Sequence, residues 1–138
     1  MHRKNSDEAY VIDLCDEVLG RRALRQHRFD FLRGDAGTRL PVDAYYLSLN
    51  LAVEYKEKQH FETVPHFDKP HRMTVTGVHR GEQREIYDQR RRELLPRNGI
   101  DLVEIPYSAF PCDSKGRLLR NRIDDLPIAK KYLPKWIN

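Results

Sequence analysis

Apolar residues recur at helical spacing through Tyr10, Val11, Leu14, Cys15, Val18 and Leu19, forming one stripe of a helix expected over residues 7–26. Asn5 or Ser6 can cap its start, and Asp7 and Glu8 place negative charge in the first turn, where the helix dipole favours it. The period then changes. Arg28-Phe29-Asp30-Phe31-Leu32 alternates as a short strand does, and Gly34-Asp35-Ala36-Gly37 supplies a turn. Residues 40–46 and 51–56, rich in Tyr, Val and Leu, predict two strands joined by a tight turn at Ser48-Leu49-Asn50. Residues 61–81, with Pro65, His66, Pro70, His71 and Gly77, predict an irregular loop with a short strand over 73–78. A second helix is expected over 81–95, burying Ile86, Tyr87, Leu94 and Leu95 and stopped by Pro96 and Asn98-Gly99. Residues 100–105 predict a further strand, closed by Pro106. A short docking helix is expected over 127–136 through Ile128, Tyr132 and Trp136, with Pro134 against it. Helix, two or three antiparallel strands, helix, strand is the order of a mixed sheet covered by helices, an α/β or α+β single domain spanning residues 1–138.

Length and composition narrow the class. With 138 residues, 39% of them hydrophobic, one compact core is the expectation. No apolar run approaches a membrane span, and the N-terminal residues lack the apolar core of a secretory signal. Cys15 and Cys112 form neither a Cys-x-x-Cys pair nor a disulfide framework, which favours a reducing, cytoplasmic setting. Lys and Arg number 25 against 21 Asp and Glu, a net charge of +4 that suits a polyanionic partner without proving one. Two stretches carry most of the excess: Arg21, Arg22, Arg25, Arg28, Arg33 and Arg39, and the basic tail over residues 111–138. Both suit sequence-independent contact with phosphates, and equally a solvated surface.

The chemistry concentrates in the strand pair. With the turn centred between Ser48 and Leu49, positions whose numbers sum to 97 lie opposite each other, so Asp43 faces Glu54 and Pro41 faces Lys56. Glu54 and Lys56, two apart, share a face. Opposed carboxylates repel, and burying them among Leu, Val, Tyr and Ala costs more unless something positive compensates. A divalent cation is the natural compensator: Mg²⁺ takes oxygen ligands, commonly one or two carboxylates, and keeps several waters. Lys56 beside it can position a water or stabilise phosphate charge. The implied reaction is metal-dependent hydrolysis of a phosphodiester. The bland alternative is an Asp and a Glu–Lys pair on a solvated strand face.

The stretch Gly37-Thr38-Arg39-Leu40-Pro41-Val42-Asp43-Ala44-Tyr45, followed by Leu51-Ala52-Val53-Glu54-Tyr55-Lys56-Glu57-Lys58-Gln59-His60-Phe61, resembles the PD-(D/E)XK nuclease superfamily. Within it, the chain is most similar to the small branch of Vsr-like mismatch-nicking and homing endonucleases, whose pattern reads R-x-P-x-D, then E-Y-D-G-x-Q-H-F. Lys56-Glu57 stands here where many of those relatives have Asp-Gly, which restores the superfamily's Glu-x-Lys form. Tyr87-Asp88-Gln89-Arg90-Arg91, with Leu95 and Gly99, resembles the helix-to-strand step that follows the hairpin in that branch. The resemblance covers roughly residues 7–110 and implies a restriction-endonuclease-like core.

It also implies roles. Asp43 and Glu54 match the metal-binding acids, Lys56 the lysine near the attacking water, and Tyr55 the residue whose main-chain carbonyl joins the metal shell. Glu17, at the edge of the first helix's apolar face, is the expected helix acid, a metal ligand and catalytic group. Gln59 and His60 match the Gln-His of the homing-type relatives. Arg91 matches the helix Arg and Asp88 its acid, a pair that can also simply bind each other; Arg39, Arg84 and Arg91 are the candidate nucleic-acid contacts. The function implied is a Mg²⁺-dependent (Mn²⁺ possible) DNA endonuclease, acting alone, as a homodimer or in a larger complex. Two other readings stay open: a nuclease-fold DNA-binding subunit of a repair, restriction or mobile-element complex that does not cut, and an adaptor whose acidic pair is accidental. His66, His71 and His79 lack metal-ligand spacing on regular structure.

Overall fold

The computed structural model of the chain describes residues 6–58 and 80–137. Gln59, His60, the three loop histidines and the strand expected over 73–78 lie outside the described residues, as does Asn5. The elements are α1 (Asp7–Leu19), β1 (Leu24–Arg33), β2 (Arg39–Tyr46), β3 (Leu51–Lys56), α2 (Arg80–Arg97), β4 (Asp101–Pro106) and α3 (Arg122–Tyr132). The strands form one sheet in the order β1-β2-β3-β4. β1–β2 and β2–β3 are antiparallel and β3–β4 is parallel, so the sheet is mixed and the architecture α+β, with a helix first.

Local chemistry accounts for the boundaries, including those that differ from the pattern-based reading. The Ser6 side chain accepts from Ala9 N at 3.0 Å and caps α1. The helix stops at Leu19, well short of residue 26, because Gly20 adopts a left-handed φ of 64° and turns its N–H back to the Asp16 and Glu17 carbonyls. The freed residues extend β1 back to Leu24. At its other end α2 runs to Arg97, with Pro96 in the last turn, where few intrahelical bonds remain to be lost. Ile86, expected on the buried side of α2, is 38% exposed. The final helix begins at Arg122, where the Asn121 side chain accepts from Asp124 N and caps it; residues 134–136 form a separate 3-10 turn.

The β2–β3 register is the expected one: Ala44 pairs with Val53, Tyr45 with Ala52 and Tyr46 with Leu51. The connection is a 3-10 turn over Leu47–Leu49 closed by Asn50 at φ 48°. Both faces of the sheet are covered. On one face Val11, Leu14, Cys15 and Leu19 of α1 and Ala129 of α3 pack with Ala44, Tyr46, Leu51, Val53 and Tyr55. On the other, Leu95 of α2 packs with Leu32, Leu40, Val42, Tyr45 and Ala52. Each such aliphatic side chain removed from water contributes about 1.5–3 kcal/mol. β3 lies inside this sandwich and is buried along all six residues. Its odd positions face α1 and α3. Glu54 and Lys56 therefore project with Ala52 toward α2, where apolar packing would be the default.

Both thiols are free, and burial pushes the Cys15 thiol up to about 12, so it has no thiolate to offer as a nucleophile near neutral pH. No helix among the described residues is long and apolar enough to cross a membrane.

Candidate active site

The antiparallel ladder between β2 and β3 ends at Ala44–Val53, and the next opposed pair is Asp43 and Glu54. Here the two carboxylates take the place of main-chain partners. Asp43 N donates to Glu54 Oε2 at 2.5 Å, and Tyr55 N donates to Asp43 Oδ2 at 2.8 Å. The strands part at this point. Leu40 and Val42 belong to the α2-side core whereas Ala44 and Tyr46 belong to the α1-side core, so the alternation of β2 slips by one residue at Asp43. The further opposition of Pro41 to Lys56 expected from the turn is consequently not made; Lys56 instead pairs in register with Pro106 of β4.

A third acid reaches this opening, and it is Glu8. Its carboxyl stands close enough to that of Asp43 for the two charges to repel. Gln26 Nε2, on β1, donates to Glu8 Oε2 at 2.6 Å and lies 3.4 Å from Asp43 Oδ1. Gln26 holds a left-handed φ of 52° inside a strand, a conformation costly for a residue with a side chain and concentrated at functional sites. The expected helix acid, Glu17, is elsewhere: its carboxylate pairs with Arg122 on an exposed surface. Nine residues separate Glu8 from Glu17, about two and a half turns, which places them on opposite sides of α1. The apolar stripe therefore turns Glu17 away when it presents Glu8 to the sheet.

Cations stand on the α2 side. Lys56 Nζ lies 2.9 Å from Asp88 Oδ1, 3.3 Å from Glu104 Oε2 and 3.8 Å from Glu54 Oε1. Glu54, Lys56 and Asp88 are each 5% exposed or less. Arg91 Nε donates to the Pro41 carbonyl at 3.1 Å and lies 3.5 Å from Glu54 Oε1, while its NH1 donates to Asp88 Oδ1 at 3.1 Å. Arg91, expected at a nucleic-acid phosphate, is thus turned inward and balances Glu54 and Asp88. Arg39 sits at the start of β2, half exposed and 3.2 Å from Asp30. Arg84 precedes Asp88 by one turn on the same stripe of α2. The Tyr55 ring packs in the α1-side core, and its N–H serves Asp43.

Glu8, Gln26 and Glu104 were not singled out by the sequence. Glu8 reads there as a first-turn charge and Glu104 as one polar position of the strand over 100–105. Burial dominates the acid–base behaviour of the cluster. It pushes the Glu54 carboxyl up to about 8, with repulsion from Asp43 adding to it and Arg91 opposing it. Burial, then Asp43, pushes Glu8 up to about 7. Burial also raises Asp43, against the Tyr55 N–H that favours its anion. A group whose folded pKa exceeds its unfolded value stabilises the fold below the unfolded pKa and loses that contribution as pH rises through the folded one. The cation-free protein is therefore expected to lose stability between about pH 5 and pH 8, on the order of 1 kcal/mol per pH unit where Glu54 titrates. Thermal unfolding in chelator across that range checks this; a melting temperature that climbs steadily to pH 8 contradicts it.

Among the described residues no three His, Cys, Asp or Glu side chains are set out as a ready-made metal cage. What the opening offers is a hard oxygen donor set of two acids with a third behind them, held at a protonation cost that a cation would relieve.

No family model and no solved structure matches the chain. It is similar to uncharacterized protein 094L of frog virus 3 (isolate Goorha), 30% identical over 105 residues, which cover 76% of this chain and 64% of the viral protein. It is also similar to uncharacterized protein 307L of invertebrate iridescent virus 6, 32% identical over 69 residues, covering 50% of this chain and 32% of that one. A third similar protein is uncharacterized protein 033L of invertebrate iridescent virus 3, 29% identical over 79 residues, covering 56% and 37%. The chain thus spans less than two thirds of the length of each of these relatives.

Proposed function

We propose that this chain is a divalent-cation-dependent DNA endonuclease of the PD-(D/E)XK type, using Mg²⁺ or Mn²⁺. One observation carries the reading. Asp43 and Glu54 meet where the hairpin ladder opens, with a buried ammonium, Lys56, alongside. Two opposed buried carboxylates destabilise a fold that has no use for them, and here their residue types, spacing and surroundings coincide with those the resemblance requires. A bound divalent cation would supply Lewis-acid stabilisation of charge on a phosphoryl oxygen and a water of lowered pKa.

The chain's residues then divide the work. Asp43 and Glu54 would hold the cation, Tyr55 N–H fixes the Asp43 carboxylate, and Glu8, oriented by Gln26, would be the acid from α1 in place of Glu17. Lys56 would position a water or offset charge on a phosphate beside Glu54. Arg91 offsets the charge of Glu54 from behind. Arg39, the half-buried Arg84 and the exposed arginines would offer sequence-independent phosphate contacts. In this reading DNA is the partner, reached in the cytoplasm by the chain alone, as a homodimer or within a larger DNA-processing complex.

Supercoiled plasmid incubated with the protein and Mg²⁺ or Mn²⁺ tests it. Nicking that disappears in chelator and in Asp43→Ala is the expected result. Glu8→Ala is expected to slow nicking by about tenfold or more, and Glu17→Ala to leave it within about twofold. Salt-sensitive DNA binding with no nicking in either metal would transfer the assignment to a non-cutting DNA-binding subunit.

A further inference from the structure

Three acids surround the Lys56 ammonium, and the nearest is not the one on its own strand. Asp88 Oδ1 lies at 2.9 Å, Glu104 Oε2 at 3.3 Å and Glu54 Oε1 at 3.8 Å. Only the first is a charge-assisted hydrogen-bond distance. The other oxygen of Glu104 is engaged by Arg92 Nε at 2.9 Å, and its Oε2, though close to Lys56, makes no hydrogen bond. Asp88 Oδ1 also takes Arg91 NH1 at 3.1 Å, while Arg91 Nε stays 3.5 Å from Glu54. A single buried carboxylate on α2 therefore holds both cations of the site, each slightly beyond hydrogen-bond contact with Glu54.

We propose that Asp88 is a positioning residue that draws Lys56 and Arg91 off Glu54 and so keeps the Glu54 carboxylate open to a divalent cation. The inference rests on the reading of Asp43 and Glu54 as cation-binding acids and names the part of the fold that keeps them usable. A buried ammonium that loses its carboxylate partner turns to the next acid in reach. Two acids are then in reach of Lys56, Glu104 Oε2 at 3.3 Å and Glu54 Oε1 at 3.8 Å, and Glu54 is the one whose pairing bears on the cation. An ammonium paired directly with Glu54 would compete with a divalent ion for the charge of that carboxylate. Glu104 is a weaker anchor because Arg92 already shares its charge.

Mn²⁺ binding, measured by calorimetry or by the electron paramagnetic resonance of free Mn²⁺, tests this independently of cleavage. In Asp88→Asn, which keeps a hydrogen-bond acceptor and removes the charge, the half-saturating Mn²⁺ concentration is expected to rise about tenfold. Asp88→Glu is expected to recover most of the loss. The double variant Asp88→Asn/Lys56→Met, which lacks the competing ammonium, is expected to bind within about threefold of the wild type. Should Asp88→Asn not fold, Asp88→Ser, with a hydroxyl acceptor, is expected to give the same rise. An unchanged Mn²⁺ midpoint in the charge-removing variant, or a double variant as weak as the single one, overturns the role of Asp88, whatever happens to the melting temperature. A wild type that binds no more Mn²⁺ than Asp43→Ala overturns the underlying assignment instead, and the positioning role with it.

Discussion

Asp43→Asn is expected to leave no measurable metal-dependent cleavage and, in chelator at pH 8, a protein that melts higher than the wild type. The two effects share one cause. Asparagine keeps an acceptor for Tyr55 N–H and replaces an anion crowded by Glu8 and Glu54 with a neutral group whose Nδ2 donates to the Glu8 carboxylate. Relief of buried like-charge crowding commonly stabilises by about 0.5–2 kcal/mol. For a domain of this size that corresponds to an increase of about 2–8 °C. In the proposed reading the same change removes a carboxylate that would hold the cation, at an expected cost of at least about 10²-fold in rate. Thermal unfolding with and without Mg²⁺, run beside plasmid nicking, measures both. A variant that melts lower than the wild type in chelator, or that still nicks, shows that crowding of the acids is not what shapes this site.

Lys56→Met carries the largest expected loss of stability. Methionine matches the stem of lysine in length and flexibility, so little volume is lost and the effect reports on charge. Lys56 is 4% exposed and stands among Asp88, Glu104 and Glu54. Removing one partner of a buried pair leaves the others uncompensated, at about 3–5 kcal/mol. Arg91 remains near Asp88 and Glu54, and Arg92 near Glu104, which sets the loss toward the lower end. Adding Asp88→Asn to Lys56→Met is expected to return part of this, a coupling that urea unfolding of the two single variants and the double variant measures directly. Strict additivity, or a single-variant loss below about 1 kcal/mol, means that the acids around Lys56 are neutral in the folded protein.

Much of the hairpin was legible in the chain. The turn at residues 48–50 sets the β2–β3 register, and with it the opposition of Asp43 to Glu54, because side chains alternate with a period of two and a slip by one residue would exchange the faces. The expected partner of Lys56 was wrong for the complementary reason. Opening of the ladder at Asp43 is a property of two side chains capturing main-chain N–H groups, and no pairing rule contains it. Gly20 and Asn121 set helix ends that the pattern-based reading passed over, because it followed apolar spacing to residue 26 and began the last helix at Pro127.

Glu17 and Glu8 illustrate the limit most clearly. Among the acids of α1, Glu8 and Glu17 lie half a turn apart around its axis, and local pattern favoured Glu17, beside Leu14 and Val18. Which acid meets the sheet depends on how α1 sits on β2 and β3 and against α3, where the Tyr10 hydroxyl donates to the buried Asp125 at 2.5 Å. Asp88 and Glu104 as partners of Lys56 likewise depend on β4 lying parallel to β3 with α2 across that face.

The chain by itself determined which segments are helix and strand, that the sheet is mixed, and that two acids oppose each other across one hairpin. These follow from residue period and turn chemistry, which act over a few positions. Only the tertiary structure decided which third acid joins them, where the strands part, and which carboxylate holds the ammonium. The first and last depend on residues about 30 to 50 positions apart, set by the packing of two helical layers on a twisted sheet, and the parting on two side chains that capture main-chain N–H groups across the hairpin.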